Sequence, residues 1–188
     1  MPAIRKSNKS VLMLSVFNGL LLAASWVMVF YAYPRLPAQI PYWLNLAGQE
    51  VIKAAKSPLF FIYPLAQTVF VAAFWYIAQI WIKNPEMKGT HEKLWSKKLP
   101  AAQKGQINDQ TPARQINLKR ALVNLRKEFV LLELIFFNLI FIHIQRSLIW
   151  LAHGLSPGVN KFYFFSLIII ILLLIPYYRL RRSLIIQA

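Results

Sequence analysis

Four stretches of this chain are too long and too evenly apolar to serve as core segments of a small water-soluble domain. They run from about Val11 to Tyr33, Pro58 to Ile82, Phe129 to Leu151 and Phe162 to Tyr178. A helix that crosses a bilayer needs about 20 mostly apolar residues. In lipid every backbone polar group must also be satisfied internally, which favours helices. The chain has 188 residues, 57% of them hydrophobic. A domain of that size keeps too much of itself at the surface to hide so much apolar area. The expected fold is therefore all-α: an integral membrane four-helix bundle forming one domain. Its spans cover about 11–33, 58–82, 129–151 and 162–178, with an outer loop over 34–57 and a basic cytoplasmic loop over 83–128.

Charge sets the direction of the spans. Of 22 Lys and Arg, seventeen fall on one side: the tail with Arg5, Lys6 and Lys9, the central loop from Lys83 to Lys127, and the tail with Arg179, Arg181 and Arg182. The other side holds only Arg35, Lys53, Lys56 and Lys161, and Arg146 lies within a span. Positive residues stay inside, so both termini are expected in the cytoplasm. The first span, too long for a signal-peptide core and followed by no small-x-small cleavage site, reads as an uncleaved anchor. A net charge of +16 on a soluble chain would suggest nucleic acid. Segregated between apolar runs, it points to anionic lipid headgroups at the cytoplasmic face, and no nucleic-acid partner is expected.

The two long loops differ in character. In the outer one, Pro34, Pro37 and Pro41 forbid a regular helix and Gly48 suits a turn with positive φ, so an extended segment with a turn is expected. The end of the central loop has a helix start at Thr111-Pro112. Leu118, Leu122, Leu125 and Phe129 then recur at helical spacing, with Lys119, Arg120, Arg126 and Lys127 off that face. This is a basic amphipathic interfacial helix, expected to lie on the membrane and run into the third span.

The third span carries most of the polarity. Glu128 sits at its cytoplasmic mouth, where water is expected to reach it; Glu133, Asn138, His143, Gln145 and Arg146 lie deeper. Ionisable groups inside a membrane are costly and are candidates for function. One reading is a proton or substrate path through Glu133 and His143. The favoured reading is structural: Asn138 and the Gln residues bond across helices to Asn18, Gln67 or Gln79, Arg146 snorkels, and Glu133 is either protonated or paired with the basic inner loop.

The sequence has no Cys and only three scattered His. No metal site, phosphate loop or nucleophile elbow is present. No cofactor is expected, and the chain does not read as an enzyme.

The segment Leu36 to Gly48, LPAQIPYWLNLAG, matches a short pattern at Tyr33-Pro34, Leu36-Pro37, Ile40-Pro41, Asn45 and Gly48, with Lys56 before the second span. It resembles a bacterial membrane domain of unknown function that also forms the N-terminal part of SdpI-type immunity proteins. The resemblance covers about residues 10–82. It departs where Trp43 replaces the family's His, and where the acidic residues after the Gly reduce to a shifted Glu50. SdpI-type proteins protect against a secreted toxin and can sequester a repressor at the membrane. By analogy the resemblance implies a binding role for this chain, as an immunity protein, a sensor or an accessory subunit with a protein partner. The alternative is a small transporter or permease component using the third span. The candidate functional residues are Tyr42, Trp43, Asn45 and Gly48 in the outer loop, and Glu133, Asn138, His143 and Arg146 in the third span.

Overall fold

A computed structural model describes residues 2–45, 50–83, 112–155 and 159–187. The chain forms four long helices and one β-hairpin: α1 (Pro2–Ala32), β1 (Gln39–Leu44), β2 (Glu50–Ala55), α2 (Ile62–Lys83), α3 (Pro112–Ala152) and α4 (Lys161–Gln187). The helical segments Lys9–Arg35, Pro58–Ile82, Ile116–Ala152 and Lys161–Ile186, the first two including a flanking 3-10 turn, are each long and apolar enough to cross a membrane. The helices thus agree with the expected all-α bundle, and the hairpin departs from it. Prolines close the helical option there, while Ile40, Val51 and Ile52 favour a pleated backbone.

Helix α3 is the hub. In its most apolar window 44% of the residues are buried, against 6–17% in the other three. Helices α1, α2 and α4 each pack on α3, and α1 and α2 meet each other only slightly. Ring contacts line the α2–α3 seam, where Phe70 and Phe74 of α2 enclose Phe137 of α3 at 5.1 and 5.7 Å between centroids.

The amphipathic segment and the third span are a single 41-residue helix, about 60 Å long at 1.5 Å per residue. The expected amphipathic helix thus continues into the third span without interruption. The reason is local: no Gly or Pro lies between Ala113 and His153, and a sharp bend needs such a break. Helix α4 likewise runs past its expected end at Tyr178, through Pro176, to Gln187. Its last turns return to α3: Arg181 pairs with Glu128 at 3.1 Å, and Tyr178 lies 4.7 Å from Phe129 between ring centroids. Glu128, expected at a wet mouth, is only 5% exposed, because α4 covers it.

Helix α3 stops at Gly154. The Leu155 amide donates to the Trp150 carbonyl and the Gly154 amide to that of Leu151, at 2.9 and 3.0 Å, with Gly154 at φ 67°. This is the Schellman closure that a left-handed Gly permits. A Cβ there would meet nothing within 4 Å, so Gly154→Ala is expected to cost only backbone strain, about 1 kcal/mol. Thermal unfolding in detergent checks it; an unchanged midpoint would show that the closure contributes nothing.

The hairpin is antiparallel, pairing Gln39 with Ala55 and Pro41 with Lys53, with irregularities between Pro41 and Leu44. Pro41, which cannot donate, is tolerated because both strands of a two-stranded sheet are edges. Strand β1 buries Ile40 and Pro41, while every residue of β2 is exposed. Ile40 joins Val29 of α1, Leu36, Phe60 and Leu148 of α3 in a compact core. This core fastens the hairpin to the helix ends.

Candidate functional site

The buried polar side chains of the spans form one connected series. The Ser25 hydroxyl donates to Gln145 Oε1 at 2.7 Å, and Gln145 Nε2 donates to Gln67 Oε1 at 3.0 Å. Gln67 Nε2 donates to Asn138 Oδ1 at 2.7 Å, and Asn138 Nδ2 to Asn18 Oδ1 at 3.0 Å. Asn18 Nδ2 closes the series on the Leu14 and Leu131 carbonyls, both at 3.0 Å. Ser25, Gln67 and Asn138 are fully buried, and Gln145 and Asn18 nearly so. Among the described residues no buried side-chain polar atom lacks a partner.

Helical spacing explains the register. Asn18 and Ser25 are seven residues apart, as are Asn138 and Gln145, so each pair shares one face two turns apart. Asn18 meets Asn138 and Ser25 meets Gln145, so α1 and α3 run parallel, with Gln67 of α2 inserted between the two levels. Gln79, an expected partner, takes no part. The members are four amides and a hydroxyl, none of which titrates in the physiological range. The series can hold helices in register, but it carries no proton.

The ionisable candidates stand off this series. Glu133 and His143 lie five residues before and after Asn138, each about 140° round the helix from it, and about 15 Å apart along the axis. Glu133 is half-buried and has no hydrogen bond or ion pair among the described residues; of the basic loop expected to pair with it, 83–128, the part 84–111 lies outside them. His143 stacks on Tyr163 at 4.4 Å between centroids, and its Nε2 lies 3.2 Å from the Asn160 carbonyl oxygen. It therefore fastens α3 to the start of α4. Arg146 is exposed, with its guanidinium 3.9 Å from the Trp150 ring centroid. Of the polar residues of the third span, Asn138 and Gln145 face the core, and His143 and Arg146 do not.

The hairpin end has a different chemistry. Tyr42, at the irregularity in β1, turns its hydroxyl onto Ser57, 3.0 Å from both the amide nitrogen and Oγ. Tyr63 of α2 donates to the Tyr42 carbonyl. Lys56 donates to the Pro34 and Leu36 carbonyls, each at 3.1 Å. These contacts fix the hairpin's base, while Trp43 stays 64% exposed.

Beside the hairpin is a cavity of about 480 Å³, lined by Tyr42, Trp43, Leu44 and Asn45 of the hairpin segment, Tyr63 of α2, Phe141, Ile144 and Leu148 of α3, and Val159, Lys161, Phe164 and Phe165 at the start of α4. That volume is ordinary for a small-molecule site. Three candidates from the sequence, Tyr42, Trp43 and Asn45, meet here; Gly48 lies outside the described residues. Sequence reasoning missed the α3 and α4 walls and Lys161, because apolar residues facing a cavity carry the same signal as those facing lipid. No group of three metal-binding side chains occurs among the described residues.

Comparison with protein-family models, with curated proteins and with solved structures found no match.

Proposed function

We propose that this chain is a multi-pass protein of the bacterial cytoplasmic membrane, both termini inside, that acts by binding a partner rather than by catalysis. An immunity, sensor or accessory-subunit role fits. The observation that carries this reading is the contrast between the two ends of its polarity. Inside the spans the buried amides satisfy one another, which suits a scaffold. At the hairpin, β2 is exposed along its whole length, with Val51 and Ile52 more than half exposed, on a base fixed by Tyr42 and Lys56. A held strand with an open edge can take a further strand from a partner. The resemblance of the Leu36–Gly48 segment to the SdpI-type domain is an independent reason to look here. The transporter reading draws less support, since Glu133 and His143 are separated and the buried series between the helices does not titrate.

Two measurements test this. The chain has no Cys, so single cysteines report topology cleanly. An impermeant maleimide on intact cells is expected to label Ala54→Cys, and Ser96→Cys only after lysis; the reverse pattern overturns the orientation. Purification in mild detergent is expected to return an assembly larger than the monomer, reduced to monomer by Val51→Lys with Ile52→Lys. Recovery of wild-type chain only as free monomer would count against the accessory-subunit role.

A further inference from the structure

We infer that the cavity beside the hairpin is a site for one anionic phospholipid, its acyl chain in the cavity and its phosphate at Lys161. This rests on the reading of the chain as membrane-embedded, and goes beyond it by assigning a ligand.

The walls set the chemistry. Phe141, Ile144 and Leu148 line about 10 Å of α3, seven residues at 1.5 Å each, and Phe164 and Phe165 face them from α4. An apolar slot of that length suits a hydrocarbon chain better than a polar solute. Charge sets the direction. Among the described residues Lys161 is the only charged one in the lining, and it forms no salt bridge with an acidic side chain there. It is the first residue of α4, next to Asn160, whose carbonyl oxygen lies 3.2 Å from His143 Nε2 of α3. The cavity is thus apolar along the helices and cationic where α4 begins, complementary to an amphiphile with an anionic head and an apolar tail. Trp43 and Phe165 line it while 64% and 58% exposed, so a chain can enter from the side without unfolding the core. A phosphate is favoured over a zwitterionic head because one unpaired ammonium attracts net negative charge.

The test is native mass spectrometry of the full chain, incubated in detergent with phosphatidylglycerol or with phosphatidylcholine of the same acyl chains. One phosphatidylglycerol is expected per chain, preferred about tenfold, the worth of one charge-assisted contact. Lys161→Gln should bring that preference close to one. Ile144→Trp, which fills the slot, should remove both adducts. If Ile144→Trp no longer runs as a monodisperse species, Phe165→Glu, an exposed change at the mouth, should remove phosphatidylglycerol binding without disturbing the fold. Equal binding of the two lipids by the wild type, or adducts unaltered by Lys161→Gln and by the slot variants, overturns the assignment. Carbonate extraction of membranes separates the two levels: a chain that stays in the pellet yet shows no lipid preference sinks only this site, whereas a chain that extracts sinks the membrane reading itself.

Discussion

Replacing Phe60 with Ala is expected to destabilise the protein by about 3–5 kcal/mol, the usual cost of deleting a fully buried Phe. Phe60 is wholly inaccessible, in the turn between the hairpin and α2. It belongs to the core that also holds Val29 of α1, Ile40 of β1 and Leu148 of α3. Its ring also meets Tyr63 edge-on at 5.8 Å and Tyr42 at 6.5 Å between centroids, and such pairs add about 0.5–1.5 kcal/mol each. The surrounding core is held by helix ends and a pinned hairpin, so it has little freedom to collapse into the gap. Phe162→Ala is the control, because Phe162 is 87% exposed and should change the unfolding midpoint little in detergent. Comparable midpoints for the two variants would mean that the hairpin is not bound to the helices in the way described.

The second large effect is expected at Gln67, the one member of the amide series that joins α2 to α3 at two levels. Gln67→Leu removes the bonds to Asn138 and Gln145 and leaves Asn138 Oδ1 and Gln145 Nε2 without them. Interhelical hydrogen bonds in membranes average about 0.6 kcal/mol and reach about 1.7, and stranding a buried polar atom costs about 1–3 kcal/mol. The expected loss is about 2–4 kcal/mol. Ser25→Ala, at the end of the series, strands one acceptor and should cost about 1 kcal/mol. Gln79→Leu, outside the series, should be close to neutral. The order matters more than the sizes: Ser25→Ala as damaging as Gln67→Leu would show that the bonds do not act as a connected series.

Both effects show where sequence and structure part. Hydropathy locates the four helices because lipid selects on composition over about 20 residues. The amide series is half legible. Asn18, Gln67 and Asn138 are conspicuous in apolar runs, but the seven-residue interval shared by Asn18–Ser25 and Asn138–Gln145 fits either helix direction, and only the hydrogen bonds decide for parallel. Ser25 alone gives no signal, since a serine in a span usually bonds its own helix, as Ser15 does to Val11. The continuity of α3 is also written in the sequence, as the absence of any Gly or Pro from Ala113 to His153. A change from charged to apolar composition at Phe129 suggests two elements where the backbone makes one. The hairpin is legible as extended chain from its prolines, but not its attachment, which depends on Phe60 and Leu148 from distant segments. The cavity is the least legible feature. Its walls come from four separate parts of the chain, and only folding distinguishes Ile144 from a lipid-facing isoleucine.

The central place of α3 has a consequence for how such a protein is made. Synthesis delivers α1 and α2 first, and these two meet each other only slightly. Their buried polar groups, Asn18, Ser25 and Gln67, find their partners in the third helix. Gln145 follows Gln67 by 78 residues, roughly 4–16 s at ribosomal rates of 5–20 residues per second. In the proposed membrane setting the newborn helical pair therefore waits, with three polar side chains lacking their third-helix partners, until the third arrives. That interval is where insertion machinery or a chaperone has something to shield. A strain short of such help should degrade this chain early, before its third helix is in place.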